Sequence, residues 1–377
     1  MAHHLVAINM PKRSSPSQGG VAQEGAFAHL NPTDKWVLVI PVENLQLSKR
    51  RLKIGRVVFF KFTKIHLARY ARITKNILAP NVHYTREQKR QHVKLVRERI
   101  LEPLLNKTCA ETHLSGHLED VTQETLNVVD AALNVMKLYR YINDDFYSRY
   151  FGIAGTVVPI VRRDMLRVNV SETHFDPTSS MVGHLFPFEI DNERLQFMRK
   201  NGLKQIASLV GKSSRNSLEN RIVAAIHWFA KAFDVAIGDY LRSRPIELPV
   251  EKITMKGTKS DSITFFDRLV KLMICAETLF LFGRDEPIRT SISERSALLL
   301  GRTYRERREI KRFFGTMYDK RSDIVHGRKA QLTEDELTHL TYYLQVAIIT
   351  LVKRLKRLKL SSDDDLREWF EKSKLGG

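Results

Sequence analysis

The residues best suited to chemistry in this 377-residue chain are an arginine and a histidine five positions apart, Arg321 and His326. The preceding residues, about 303–325, have the periodicity of a helix, and Gly327 suits the C′ position at which helices end. His326 would then lie on the last turn, partly exposed, where a histidine can exchange protons near neutral pH. Arg321 is a permanent cation that can hold a phosphate through two parallel hydrogen bonds. These residue types indicate acid–base chemistry at a phosphate group.

The same spacing also admits a purely structural interpretation. Five residues turn a straight helix by about 140°, so Arg321 and His326 would meet only in a groove at the helix end. A histidine in the last turn commonly stabilises a helix C-terminus by about 0.3–1 kcal/mol. Arg321 could simply pair with Asp319, Asp323 or another acid. Spacing alone favours this structural interpretation.

Other catalytic signatures are missing from the sequence, including a P-loop, a dinucleotide fingerprint and a His-Glu-x-x-His motif. His113 and His117 are four apart and could share a helix face, which leaves a metal-dependent hydrolase as a further hypothesis. Two histidines of this kind are more often solvated or structural than metal ligands. The two cysteines, Cys109 and Cys275, provide neither a disulfide framework nor a thiolate cluster, and Cys275 has the surroundings of a core residue. Our main expectation is a protein without metal or cofactor.

Charge is the unusual feature of the composition. The chain has 62 Lys and Arg residues against 42 Asp and Glu residues, a formal net charge of +20. Such a field attracts polyanions, so nucleic acid is a favoured partner. The N-terminus has no signal-peptide pattern, and the longest apolar stretch, Leu340 to Val352, is too short to span a membrane. With so few cysteines, we expect a cytoplasmic protein with no membrane partner.

The elements that would position these residues fall into an N-terminal and a C-terminal part. Residues 1–33 have little apolar pattern and are predicted to be a flexible leader. Residues 34–200 are predicted to form an α+β domain of unknown sensor or regulatory role. It would include strands at Trp36 to Val42 and Arg56 to Phe62, which are rich in Val, Ile and Phe. Further predicted elements are helices near 93–104 and 122–141, a strand at Val157 to Val161 and a loop over 171–190.

Residues 201–377 are predicted to form an all-α bundle, so the chain would be mainly α overall. Thr333 and Glu336 have the spacing of a capping box, which predicts that the longest helix begins there. The predicted elements are helices within 222–237, 265–280, 291–300, 303–325, 333–358 and 363–372, with a loop over 242–262.

The segment Arg321-Ser322-Asp323-Ile324-Val325-His326-Gly327 resembles the Arg-x4–6-His motif of HEPN domains, especially the Apea-like branch. Ile274 to Phe280, which contains Glu277, is similar to that family's helix with an Ala-Leu-Glu-like element. Ile292 to Gly301 resembles the segment that precedes the motif helix. The resemblance covers roughly 205–360, less than half of the chain.

The resemblance implies a HEPN-like bundle of four or five helices that forms a homodimer, with the two motifs facing one another. It implies a metal-independent endoribonuclease in toxin–antitoxin or anti-phage defence, which cleaves RNA through attack of a 2′-hydroxyl. His326 would be the general acid or base, and Arg321 would stabilise the transition-state charge. Ser322 would orient the phosphate, and Glu277 would orient Arg321 or His326, or else pair with a structural arginine. The alternative is a catalytically inactive HEPN-like module for RNA or nucleotide binding or for dimerisation.

Two basic runs lie on either side of the motif in sequence. The second run, 353–359, could hold RNA or serve solubility, and a solvated helix face is the alternative for the first, since Glu306 and Glu309 could pair with its arginines. An antitoxin or a trigger protein is a further expected partner. The residues of the first run predicted to contact an RNA backbone are Arg302, Arg305, Arg308, Lys311 and Arg312.

Overall fold

The structure is a computed structural model, and packing divides its described residues into two units. The first unit holds the described residues up to Ala132 together with 152–153 and 188–192, and the second unit holds the others, starting at Leu133. The residues that the structure describes are 6–9, 35–78, 85–116, 118–140, 152–153, 163–168, 175–180, 188–233 and 259–375.

The strands, in chain order, are β1 (Val6–Asn9), β2 (Lys35–Glu43), β3 (Leu45–Leu47), β4 (Arg51–Ile54), β5 (Val57–Lys61), β6 (Thr108–Ser115), β7 (Gly152–Ile153), β8 (Arg163–Val168), β9 (Phe175–Ser180) and β10 (Phe188–Ile190). The α-helices are α1 (Lys64–Leu78), α2 (Arg86–Val96), α3 (Leu118–Leu138), α4 (Asn192–Lys200), α5 (Leu203–Val210), α6 (Ser217–Lys231), α7 (Lys259–Phe280), α8 (Ile288–Leu300), α9 (Tyr304–Val325), α10 (Glu334–Arg357) and α11 (Asp363–Lys374). α2 runs on into a π-helical turn, Arg97–Leu101, and a 3₁₀ turn, Glu102–Leu104.

The first unit is built on an antiparallel sheet with the strand order β1-β2-β6-β5-β4, and β7 also pairs with β2. β10 and β3 form a separate parallel pair. Along β2, Val37 and Val39 point to the face that carries Phe60 of β5 and Cys109 of β6, as the two-residue period of a strand requires. These residues form one core with Leu67 of α1.

α3 lies on the other face of the sheet. The Thr112 hydroxyl of β6 hydrogen-bonds to the Thr125 hydroxyl of α3 over 3.1 Å, and both residues are buried. Arg56, in the turn between β4 and β5, donates to Glu124 over 2.6 Å. The sheet is therefore covered by α1 on one face and by α3 on the other.

The second unit is a helical assembly around α7. Phe280 at the end of α7 packs edge-on against Phe314 of α9, with ring centroids 6.4 Å apart. Phe370 of α11 lies against the same Phe280 ring at 6.2 Å. On α9, Phe313 meets Tyr343 of α10 at 5.3 Å. Helices distant in sequence thus share one aromatic core.

Local capping fixes where the helices of this unit begin. The Thr333 hydroxyl accepts from the Glu336 N–H, and the Glu336 carboxylate accepts from the Thr333 N–H over 2.9 Å. This confirms the capping box predicted at Thr333. Thr303 starts α9 and Ser362 starts α11 in the same way.

The architecture confirms the predicted fold class, a small N-terminal sheet with helices followed by a helical part, and a chain that is mainly α. The strands predicted at Trp36 to Val42 and Arg56 to Phe62 are β2 and β5. Four residues of the predicted leader form a strand, because Val6–Asn9 pair with β2 through main-chain hydrogen bonds. The predicted strand at Val157 to Val161 lies outside the described residues.

Two predicted loops contain regular structure in their described parts. β9 (Phe175–Ser180) lies within the predicted 171–190 loop, where it pairs with β8, and β10 lies at the end of that loop. Pro177 falls within β9, so its presence did not prevent a strand in this two-stranded pair. α7 already begins at Lys259, within the loop predicted over 242–262.

None of the described helices is both long enough and apolar enough to cross a membrane.

Candidate active site

Arg321 continues the buried stripe of α9. Ile310, Phe314 and Met317 are buried, and Arg321 follows them at the same helical spacing. An arginine at a core-facing position must keep its charge partly solvated or meet an acid. The Arg321 side chain does both, being 24% exposed and lying beside Glu277.

Glu277 reaches Arg321 from α7, on the turn before Phe280. The Arg321 Nη2 and Glu277 Oε1 atoms are 3.6 Å apart, which is an ion pair without hydrogen-bond contact. Both Glu277 Oε1 and Arg321 Nε are buried and have no hydrogen-bond partner in the part of the chain that is described. The two charges are therefore close, but their polar atoms are incompletely satisfied.

Burial controls the protonation of Glu277. Loss of water around the carboxylate raises the pKa of Glu277 above its usual value, and the positive charge of Arg321 offsets this only in part. The ionised carboxylate is thus held at a free-energy cost, unlike a carboxylate in a strong hydrogen-bonded pair.

His326 occupies the C-cap of α9 and is exposed. Gly327 follows with φ +73°, and its N–H donates to Ile324 O over 3.0 Å. The N–H of Arg328 donates to Asp323 O over 2.7 Å. These two bonds form a Schellman motif, which fixes the backbone around His326 and confirms Gly327 as the residue that ends the helix.

Arg321 and His326 point to different sides of α9. Five steps of about 100° separate them by about 140°, so Arg321 faces the bundle whereas His326 faces outward. Ser322 is half-buried, and its carbonyl accepts the His326 N–H over 3.0 Å. Within one chain the structure brings Arg321 to Glu277 and does not bring Arg321 to His326.

The predicted RNA contacts are Arg302, which precedes α9, and four residues on α9, and they divide into residues with and without a side-chain partner. Arg305 pairs with Glu309 over 3.1 Å, an exposed i,i+4 pair. Lys311 reaches Glu294 of α8 over 2.8 Å. Within the described ranges, three of the predicted contacts are exposed side chains without a side-chain partner: Arg302, Arg308 and Arg312.

Position along the helix separates this basic run from the motif. Arg308 and Arg312 lie about 140–180° around the axis from Arg321, on the side that His326 also faces. Arg312 precedes His326 by fourteen residues, which is about 21 Å along the axis. A ligand that touches both must extend along the outward face of α9.

Two charged contacts near the motif were not predicted. Lys320 binds Glu336 of α10 over 2.5 Å, so the capping residue of α10 also ties it to α9. Arg328 lies beside Asp323 at 3.5 Å. The capping box identified Glu336 in the sequence, but no sequence signal shows that its second oxygen meets Lys320.

His113 does not lie on a helix. It belongs to β6, and its Nε2 is 3.0 Å from Glu111 Oε1. The expectation of a helix face shared with His117 is wrong for His113, because β6 pairs with β2 on one side and β5 on the other and is therefore a strand. His117 itself lies outside the described residues. Over the part of the chain described, no group of three or more His, Cys, Asp or Glu residues could hold a metal ion.

Comparisons of the chain with protein-family models, curated proteins and solved structures found no match.

Chemically, the end of α9 offers an exposed imidazole on a fixed backbone and, one and a half turns earlier, a partly exposed guanidinium. The imidazole can accept or donate a proton, and the guanidinium can neutralise an oxyanion.

Proposed function

We propose that this chain is a metal-independent endoribonuclease of the HEPN type, acting in toxin–antitoxin or anti-phage defence. The observation that carries the proposal is the His326 side chain, which is exposed, without a side-chain partner among the described residues, and held on a Schellman terminus. The sequence around it, from Arg321 to Gly327, has the residues of the HEPN motif. A histidine with a purely structural role would be stabilised by a hydrogen-bond or charge partner. An acid–base residue must instead be accessible to its substrate.

In the proposed reaction, His326 accepts the proton of a ribose 2′-hydroxyl. The 2′-oxygen forms a bond to the adjacent phosphorus, and the bond from phosphorus to the 5′-oxygen breaks. The 5′-oxygen takes up a proton, and the products are a 2′,3′-cyclic phosphate and a 5′-hydroxyl. Negative charge grows on the phosphate oxygens in the transition state, and Arg321 stabilises it.

A homodimer supports this mechanism better than one chain does. A single His326 cannot accept one proton and donate another at the same moment, and in one chain Arg321 faces away from it. A second copy supplies a second His326 and a second Arg321 to one groove. Val325, beside His326, is 53% exposed, and such an apolar residue gains from burial against a second copy. RNA, a second copy and an antitoxin or trigger protein are the partners that we propose, in the cytoplasm.

A non-catalytic HEPN-like module that binds RNA or a nucleotide is the second candidate. Arg321 continues the buried stripe of α9 and pairs with Glu277, which favours a structural arginine. In this case His326 and the basic residues on the same outward side of α9 hold phosphate groups but do not catalyse RNA cleavage. The module binds RNA with strong salt dependence and releases no cleavage products.

The purified chain incubated with RNA in EDTA distinguishes these functions. We expect cleavage that leaves cyclic phosphate ends, and a decrease of about 10²–10⁴-fold in the His326→Ala variant. His339→Ala is a matched control, because His339 is also an exposed histidine, on α10. Cleavage retained in His326→Ala would exclude the proposed role of that residue, and binding without cleavage by the unmodified chain would favour the second candidate.

A further inference from the structure

The first unit carries a basic surface far from the motif in sequence. α1 contains four basic residues and no acidic residue. α2 contains four basic residues and one acidic residue, Glu87. The two helices pack against each other within this unit. Part of the +20 net charge is therefore concentrated on a helix pair that the proposed nuclease chemistry does not use.

α2 is a helix that buries none of its residues. Its start is fixed locally, because the Thr85 hydroxyl accepts from the Gln88 N–H and the Gln88 side chain accepts from the Thr85 N–H. A polar helix of this kind gains little from packing, so its outward side chains are not explained by the core of the unit. The side of α2 that faces solvent is therefore available to a ligand.

Three of the four basic residues of α2 are arranged along one side. Arg86, Arg90 and Lys94 are exposed and four residues apart, so they recur about every 6 Å along the axis. Arg86 and Arg90 have no side-chain partner among the described residues. Lys94 lies 3.9 Å from Glu98, with both side chains more than half exposed, which is a weak pair.

α1 adds further cations of the same kind. Arg72 and Lys75 are exposed and are three residues apart on one side of the helix. Neither has a side-chain partner in the described part of the chain. Because the two helices pack against each other, we group these residues with the cations of α2 and call the group the α1–α2 basic surface, which consists of Arg72, Lys75, Arg86, Arg90 and Lys94.

We propose that the α1–α2 basic surface binds the phosphate backbone of a nucleic acid, independently of the second unit. Two nucleotide steps along one strand of a duplex span about 7 Å, close to the 6 Å recurrence of the cations on α2. Arginine suits this role because its guanidinium can hold two phosphate oxygens at once. Contacts of this kind are insensitive to base sequence and position the chain on the strand.

An anionic membrane fits this surface less well. Helices that lie in a membrane interface bury a wide apolar face. On α2 the apolar residues are Val93, Leu95 and Val96, all in its second half, and Val96 packs against the core of its own unit. Leu95 is the apolar residue of α2 that is exposed, at 46%. Ile65 of α1 is exposed at 80%, but among the described side chains of the two helices it and Leu95 are single exposed apolar residues on different helices. Charge without a wide apolar face in this part of the chain favours nucleic acid.

The test uses the full chain and a short fluorescent 2′-O-methyl RNA, as a single strand and as a duplex, which cannot be cleaved by 2′-hydroxyl attack. The test variant is Arg72→Gln/Arg86→Gln/Arg90→Gln. The control, Arg199→Gln/Lys204→Gln/Arg367→Gln, removes three exposed basic residues of the second unit and so makes the same change in net charge. Thermal unfolding of all three proteins shows whether the fold is kept.

We expect the test variant to weaken RNA binding about tenfold or more and to lower the slope of log K against log salt by about 2 for the single strand. The control should bind like the unmodified chain. Equal loss of affinity in the test and control variants would overturn the proposal, since net charge alone would explain it. RNA binding unchanged in the test variant, with lost binding to phosphatidylserine-containing vesicles, would assign the surface to membranes instead.

Because the probe resists cleavage, this result is separate from the nuclease proposal. If RNA binding depends on the α1–α2 basic surface, the binding proposal is supported even when the unmodified chain leaves ordinary RNA intact. If RNA cleavage depends on His326, the nuclease proposal is supported even when the test variant binds RNA normally.

Discussion

Arg321 of α9 and Glu277 of α7 approach to 3.6 Å without forming a hydrogen bond, and each keeps a buried polar atom without a hydrogen-bond partner among the described residues. Well-formed arginine–carboxylate pairs are shorter and use two parallel hydrogen bonds. This pair contributes less than such a contact would, and the guanidinium keeps donors that it can offer to an anion. Because the contact is weak, it offsets the effect of burial on the pKa of Glu277 only in part, and the proposed role of Arg321 rests on the donors that stay free.

Glu277→Gln should be at least as stable as the unmodified chain at pH 7. The pKa of Glu277 is raised, chiefly by burial, so the ionised carboxylate costs free energy in the folded state and a neutral amide does not carry this cost. The difference in the free energy of unfolding between the two proteins should vanish as the pH falls through the raised pKa of Glu277 in the folded chain and then below 4.5, the ordinary value for glutamate. Urea unfolding at a series of pH values measures it. A variant clearly less stable at pH 7 would show that the Arg321 charge outweighs burial.

Glu286→Gln should show the opposite pH dependence. Burial by itself would raise the pKa of Glu286, but hydrogen bonds from Arg295 and from the Phe282 N–H outweigh it and lower this pKa. The carboxylate therefore stabilises the fold above about pH 4.5, and this contribution is lost as the pH falls through the lowered pKa. We expect the variant to be less stable at pH 7 by about 1.5–3 kcal/mol, and the difference to shrink in acid. The same unfolding series tests both glutamates. The prediction is contradicted if the stability differences of the two variants from the unmodified chain change with pH in the same way.

Gly327→Ala should destabilise the chain by about 1–2 kcal/mol. Gly327 has φ +73°, which is unfavourable for any residue with a Cβ, although the space around it is open. The matched control is Gly283→Ala, where an added Cβ would make only ordinary contact, 3.6 Å from Glu286. We expect the control to change the free energy of unfolding by less than about 1 kcal/mol. If Gly327→Ala unfolds at the same urea concentration as the unmodified chain, the Schellman terminus is not maintained in solution.

Arg321→Ala should lose both stability and cleavage, and a second substitution should separate the two. Removing Arg321 leaves the Glu277 carboxylate buried without its partner, which costs about 1–3 kcal/mol. Glu277→Gln in the same chain removes that charge and should restore most of the stability. Cleavage should stay about 10²–10³-fold below the unmodified chain in both variants, since neither has a guanidinium at the phosphate. Recovery of cleavage in the double variant would show that Arg321 acts only through folding.

Local signals predicted the elements of the fold well. The capping box at Thr333 and Glu336 located the start of α10, and Gly327 located the end of α9, because caps act within one turn of the chain. The apolar runs identified β2 and β5 in the same way. β6 was not predicted, although it lies in the centre of the sheet, because its Thr, Glu and His residues hide the strand pattern.

The site was less predictable, because its contacts join residues distant in sequence. Arg321 and Glu277 are 44 positions apart, and the packing of α9 on α7 brings them together. The family resemblance had suggested Glu277 as a partner of Arg321 or His326, but helix periodicity alone did not pair them. Lys320 and Glu336 come together in the same way across α9 and α10. The pairing of Arg305 with Glu309 was predictable from its spacing of four, whereas that of Lys311 with Glu294 was not. Sequence periodicity locates a side chain on a helix face but does not identify the residue that faces it.

The last helix, α11, has a consequence for the order in which the chain can fold. Phe370 fills the aromatic core beside Phe280, and Asp363 receives two hydrogen bonds from Arg221 of α6, at 2.9 and 2.7 Å. The aromatic contact joins residues 90 positions apart, and the ion pair joins residues 142 positions apart. During synthesis, the helical unit can assemble its earlier helices but cannot complete this core until α11 has left the ribosome. Until then the side of Phe280 that Phe370 covers is exposed to water, and a chaperone that recognises apolar surface would have its longest access to the nascent chain during this interval.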